Sequence, residues 1–273
     1  MAADRWLSAY LVREEPLHEL LRDAVRPFVA RAEAEGLIDR FFFIRYRERG
    51  SHVRLRLRAT SPALRDSLER HFGDYMTAHP SPPRALQFDD PLPLDSVQYV
   101  AYEREIERYG GPELIEVAER QFEASSRAVL ALPGDDWTYD RALSAAMWMH
   151  LTFAIAAPMS RAEAAAFFEA AIGALAHWHH VDRRDLLAAF DERFDQQLAA
   201  GVANLWELLQ GDIDIDWLRE WREAMRPILA AVRARAAEPL PILFSYMHMT
   251  NNRLGVANRD EAWLAYLLSR SLR

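Results

Sequence analysis

The chain has 273 residues, 51% of them hydrophobic, with 33 basic and 41 acidic side chains and a formal net charge of −8. That length supports a sizeable core, and the charge argues against a non-specific nucleic-acid binder. Cysteine is absent, which removes disulfides, thiol nucleophiles and cysteine-bound metals together.

Every basic residue is arginine, so an arginine is informative only where its position is unusual. The N-terminal residues MAADRWLSAYLVREEP hold no long apolar run of the signal-peptide kind. The apolar stretch 142–159 is interrupted by His150 and is a poor membrane span. The expectation is a cytoplasmic protein that neither crosses a membrane nor binds nucleic acid directly.

Residues 6–12 (WLSAYLV) read as a short strand. From Pro16, apolar residues at 17, 20, 21, 25, 28 and 29 recur at helical spacing, and Gly36 closes the run. Residues 41–46 (FFFIRY) and 52–58 (HVRLRLR) read as two strands of a hairpin around Gly50. Ser61-Pro62 opens a helix to about residue 78. A proline-rich loop follows, and 97–102 (VQYVAY) reads as a fourth strand.

This β-α-β-β-α-β order matches the split βαβ, ferredoxin-like arrangement of an antiparallel sheet. From Pro112 onward, segments 114–130, 139–157, 161–177, 183–209, 216–236 and 260–272 read as helices, with Ser160 and Asp182 as caps. The fold class is therefore α+β. Residues 1–111 form the sheet portion, and 112–273 a mostly helical portion packed on it as one catalytic domain.

Three stretches carry chemistry. In HVRLRLR, Val53, Leu55 and Leu57 share one face, and Arg54, Arg56 and Arg58 the other. A charged outer face is the plain reading. The alternative is an anion cradle, because three neighbouring guanidiniums repel one another without an anion over them. Arg45 on the preceding strand is expected to join them.

In YEREIERYGG, alternating acids and arginines suit a solvated face, whereas the double glycine marks a tight turn of the kind that flanks sites. Glu105 and Arg108 share a face if that turn is helical. In SYMHMTNNRLG, His248 stands in a polar patch with Asn251, Asn252 and Arg253. It is either a satisfied structural residue or a general base. The adjacent His177, His179 and His180 do not share a helix face, and no HExxH, nucleotide or GxSxG motif is present, so neither metal nor cofactor is implied.

Taken together and in this order, FFFIRYRERGSHVRLRLR, YEREIERYGG and SYMHMTNNRLG resemble the C-terminal domain of lantibiotic dehydratases, which also occurs as a standalone thiopeptide-type bacteriocin biosynthesis protein. The resemblance implies a lyase that eliminates glutamate from glutamylated Ser or Thr of a ribosomal precursor peptide, leaving dehydroalanine or dehydrobutyrine. It implies that Arg54, Arg56 and Arg108 are the essential arginines, that Glu105 is the acid of the turn and that His248 is the essential histidine. Arg45 and Arg253 belong to the same motifs, and with Tyr46 and Asn251 they are expected to bind substrate.

The implied partners are the precursor peptide, with its leader as a candidate handle, and a glutamyl-tRNA-dependent glutamylating protein. A homodimer is the default assembly. A second branch of the family, the thiopeptide pyridine synthases, joins two dehydroalanines in a formal [4+2] aza-cycloaddition and expels the leader. Its arginine set is generally altered, whereas here it is intact. Thr250-Asn251 and the long loop 80–95 depart from the common pattern. A non-catalytic peptide-binding subunit and a plain α+β domain with a charged face complete the alternatives. The enzyme reading requires Arg54, Arg56 and Arg108 to face one cavity with the His248 ring.

Overall fold

The computed structural model describes residues 6–14, 16–84, 88–132, 134–178, 180 and 182–273. His179, Pro133 and residues 85–87 of the proline-rich loop lie outside the described residues. The chain divides into two compact units. The first comprises the chain through Glu105 together with Ser125–Trp137, and the second comprises Ile106–Ala124 and Thr138–Arg273.

The first unit contains strand β1 (Trp6–Val12), helix α1 (Leu17–Leu20), a π turn (Leu21–Val25), helix α2 (Arg26–Ala34), strands β2 (Ile38–Tyr46) and β3 (His52–Ala59), helix α3 (Leu64–Ala78) and strand β4 (Ser96–Tyr99). The sheet order is β2-β3-β1-β4, and every neighbouring pair is antiparallel. The π turn has a local cause. Pro27 has no N–H to give the carbonyl of Asp23, and the helix widens by one residue so that Arg26 N–H bonds Leu21 O.

Register decides which side chains share a face. Ala9, Leu55 and Phe43 form one cross-strand row; Leu11 pairs with Val53, and Phe41 with Leu57. All are essentially inaccessible and belong to the unit's core, with Leu20, Val25 and Phe28 before β2 and with Leu64, Leu68 and Phe72 of α3. The opposite face carries Ser8, Arg56 and Phe42 in one row, and Tyr10, Arg54 and Ile44 in the next.

Two expectations about this sheet are corrected. The fourth strand ends at Tyr99 rather than at residue 102. Tyr102 leaves the ladder to pack edge-on against Trp6 and Phe42. Arg45 pairs in register with Val53, so it projects from the apolar face and not beside Arg54 and Arg56.

The second unit is helical: α4 (Ile115–Ala131, whose C-terminal part belongs to the first unit), α5 (Tyr139–Ala156), α6 (Arg161–Trp178), α7 (Arg183–Asp191), α8 (Gln196–Gln210), α9 (Asp216–Arg235), α10 (Pro239–Leu254) and α11 (Asn258–Ser271). The expected caps act. Ser160 and Glu163 bond reciprocally at the start of α6, and Asp182 accepts from Arg184 N and Asp185 N at the start of α7.

The single helix expected over 183–209 is broken at residues 192–195, where Asp195 caps the new helix by accepting from Leu198 N. Helix α10, which contains His248, was not expected as a helix; its two prolines at 239 and 241 and its aromatic and amide residues mask the periodicity. Among the described residues no helix is long and apolar enough to cross a membrane.

Candidate active site

In the first unit, β3 sets Arg54 and Arg56 in line, and the strands on either side supply rings to hold them. The Arg54 guanidinium lies 3.4 Å from the centroid of the Tyr46 ring and 4.6 Å from that of Tyr10. Its Nε donates to His52 Nε2 at 3.1 Å, and an Nη donates to Glu48 at 3.3 Å. His52 is fully buried and stacks on Tyr10, and its Nδ1 lies 2.8 Å from the carbonyl of Gly50. These two contacts define a neutral ring, Nδ1–H to the carbonyl and Nε2 accepting from Arg54. Burial agrees, since it pulls the ring's pKa down to about 4.

Arg56 is only 8% exposed. Its guanidinium sits 4.7 Å from the Tyr102 centroid and 5.4 Å from that of Phe42. Among the described residues it has no hydrogen-bond acceptor, and its Nε is enclosed without a partner. Burial depresses its pKa, partly offset by the negative character of Tyr102, Tyr10 and Glu105. Arg58, third in the strand, is committed elsewhere, in a two-pronged pair with Asp39 at 2.5 and 3.0 Å. Tyr46 is 37% exposed. Glu105 is exposed and is the last residue of this unit.

In the second unit, the double glycine explains itself. Gly110 and Gly111 both hold positive φ, 86° and 90°, and a Cβ at Gly110 would come within 2.7 Å of Leu114 and 2.9 Å of Ile242. The turn is pinned by Tyr109, which is buried against Phe122 and Tyr246. Arg108, just before it, donates through Nε to Ser245 Oγ at 3.3 Å. Ser245 lies three residues before His248 on α10, so one helix face carries both the anchor of Arg108 and the imidazole. The ring of Trp178 meets His248 edge-on at 5.8 Å and lies 6.0 Å from the Arg108 guanidinium. Trp178 thus lies near both Arg108 and His248 within this unit.

Two of the expected substrate contacts are corrected. Asn251 is 2% exposed, and its Oδ1 is 2.8 Å from Nε2 of the buried His150. Arg253 is fully buried, donates to the carbonyl of Met249 and lies over the ring of Phe122. Both are closed to a substrate and serve the packing of the helical unit. Both lie on the inward side of α10.

Two residues the sequence reading passed over belong to these clusters. His52 heads the same alternating face as Arg54 and Arg56 and was legible there. Glu261, whose Oε2 is 2.9 Å from His248 Nδ1, stands at the head of the buried stripe it forms with Leu264, Ala265 and Leu268. An acid at an apolar stripe position is a signal in itself. No group of three or more metal-ligating side chains occurs among the described residues.

A four-stranded antiparallel unit with ring-clamped arginines and a mostly helical unit carrying His248 and Arg108 make this an α+β protein. The chain belongs to the lantibiotic biosynthesis dehydratase C-term family, which it matches over residues 6–272. Among solved structures it is similar to the pyridine synthase TbtD from thiomuracin biosynthesis, with a TM-score of 0.79 at 18% identity, over 98% of this chain and 97% of TbtD. It is also similar to the tRNA-dependent lantibiotic dehydratase MibB from Microbispora sp. 107891, with a TM-score of 0.71 at 24% identity. That match covers all of this chain but only 28% of MibB. TsrL matches with a TM-score of 0.69 at 18% identity, over 97% of this chain and 93% of TsrL. At these identities the likeness is one of fold. No curated protein matches the sequence.

Proposed function

We propose that this protein is a lyase of ribosomal-peptide antibiotic maturation that eliminates glutamate from glutamylated Ser or Thr of a precursor peptide. The observation that carries this reading is Arg56, a guanidinium 8% exposed and without a hydrogen-bond acceptor among the described residues, next in line to the ring-clamped Arg54. A buried cation of this kind suits an anionic ligand. A glutamate esterified through its side chain offers an α-carboxylate for the guanidinium fork.

In the proposed reaction His248 takes the Cα proton, the Cβ–O bond breaks, and its electron pair leaves with the glutamate side-chain carboxylate. The alkene that remains is dehydroalanine or dehydrobutyrine. Arg108 stabilises the enolate charge on the neighbouring carbonyl, and Glu105 tunes the field at Arg56. Tyr46 borders the bound glutamate beside Arg54. The strand order β2-β3-β1-β4, with antiparallel neighbours, supports the ferredoxin-like reading of the sheet unit.

This chemistry implies a glutamyl-tRNA-dependent partner that esterifies the peptide, possible recognition of its leader, and a cytoplasmic setting; it needs no cofactor. The assay supplies glutamylated precursor and measures free glutamate and peptide dehydration. Release by the native protein and its loss in Arg56→Ala support the reading; glutamylated peptide left intact by the native protein sinks it.

The second reading, a formal [4+2] cycloaddition of two dehydroalanines with leader expulsion, is favoured by one observation. The fold is more similar to that of the pyridine synthase TbtD, with a TM-score of 0.79, than to that of MibB, with 0.71. Conversion of a peptide already bearing dehydroalanines into a leaderless macrocycle, with glutamylated peptide untouched, selects it.

A further inference from the structure

We propose that Glu261 is a positioning residue that holds the His248 ring as its Nδ1–H tautomer and so assigns proton transfer to Nε2. This rests on the reading of His248 as the proton-transfer group and names the residue that controls it.

Glu261 Oε2 lies 2.9 Å from His248 Nδ1, and the two side chains differ sharply in access: the imidazole is 22% exposed and the carboxylate 1%. The carboxylate stands behind the ring, and Nε2 is the ring nitrogen on the side away from it. Both partners come from regular elements, His248 from α10 and Glu261 from the first turn of α11, with the tight Gly255 turn between them. Gly255 holds φ 83° and closes α10 by donating to the carbonyls of Asn251 and Asn252. Trp178 packs against the ring edge-on and limits its rotation. The ring is therefore held by a bond from behind and an aromatic contact at its edge.

The proton between Nδ1 and Oε2 has two places to sit. As a carboxylate, Glu261 accepts from Nδ1–H, and Nε2 keeps its lone pair to take a proton. As a carboxylic acid it donates to Nδ1, and Nε2 carries the hydrogen and cannot act as a base. Burial is the larger effect and pushes the Glu261 carboxyl up toward the acid, while the bond to His248 opposes it in favour of the carboxylate. The N-terminal end of a helix adds a dipole that favours negative charge there. The ion pair gained whenever the ring takes its proton favours the carboxylate further.

Long-range ¹H–¹⁵N NMR of the imidazole nitrogens decides between them in the native protein, at a pH where the ring is neutral. A protonated Nδ1 and an unprotonated Nε2 are expected; the reverse assignment overturns the proposal whatever the activity. Glu261→Gln keeps an acceptor for Nδ1–H without the charge, so the tautomer should persist while turnover falls. Glu261→Leu removes the acceptor, so the tautomer should be lost.

With glutamylated peptide, Glu261→Leu should reduce kcat by about 10²–10⁴-fold, the contribution of one placed acid–base group, with KM little changed. A carboxylate that merely supports packing would lower Tm in both variants without moving the tautomer, and that result also overturns the proposal. If the tautomer behaves as stated but no glutamate is ever released, the elimination reading fails and the positioning role stands.

Discussion

A histidine whose folded pKa sits at about 4, as those of His52 and His150 do, makes the protein sensitive to mild acid. Both rings are buried and neutral when folded. Each binds protons less readily in the fold than in the unfolded chain, where the ordinary value is 6.5. Their contribution to stability is therefore complete above about 6.5 and drains away as pH falls toward about 4. At the low end each accounts for about 3 kcal/mol by order of magnitude. Urea unfolding midpoints should drop steeply across that interval. His52→Gln, which keeps an acceptor for Arg54, should flatten the profile, and an unchanged profile in that variant would show that His52 is not buried neutral.

On the same strand, Arg58 makes a contrast with Arg56. Its pair with Asp39 is partly solvated, with the two side chains 32% and 42% exposed. Removing it should cost no more than about 1 kcal/mol. Glutamate release should survive Arg58→Ala and vanish in Arg56→Ala. Equal losses in both would mean that the strand's summed charge matters and that Arg56 has no particular role.

At the scale of elements, the turn at Gly110 and Gly111 connects local backbone strain to the placement of Arg108. Gly110→Ala forces a Cβ into Leu114 and Ile242 at a φ that alanine resists. The cost should be on the order of 2 kcal/mol. Because Arg108 rides on that turn, glutamate release measured well below the variant's melting temperature should fall more than the folded fraction does. Full activity in a destabilised variant would separate the turn from the chemistry.

The turn was legible from its double glycine, as was the hairpin from the strict alternation of HVRLRLR. Other features were hidden for physical reasons. Arg45 does not join the arginine row of the next strand because a period of two makes a single residue of register decisive. Helix α10 was hidden because Pro239, Pro241 and its run of aromatic and amide side chains have weak helical preference, and burial rather than propensity makes that segment helical. The pairing of Glu261 with His248 joins two helices across a turn, which no spacing rule reports.

Over the whole molecule, the charge balance bears on which ligands the chain can attract. The 41 acids outnumber the 33 arginines, so the long-range field is negative and repels a polyanion. The arginines of the proposed site are held locally: Arg54 and Arg56 lie against rings, and Arg108 donates to Ser245. Such a surface suits one small carboxylate on a peptide and not a nucleic-acid backbone. The proposed division of labour follows, with glutamyl-tRNA met by the esterifying partner and only its product met here. Titration with tRNA at about 0.15 M salt, where screening acts within roughly 8 Å, should give no saturable binding. The glutamylated peptide should bind, and the binding should weaken in Arg54→Ala. Saturable tRNA binding with a steep salt dependence would show that local basic surface outweighs the net charge, and would bring the tRNA-dependent step onto this chain.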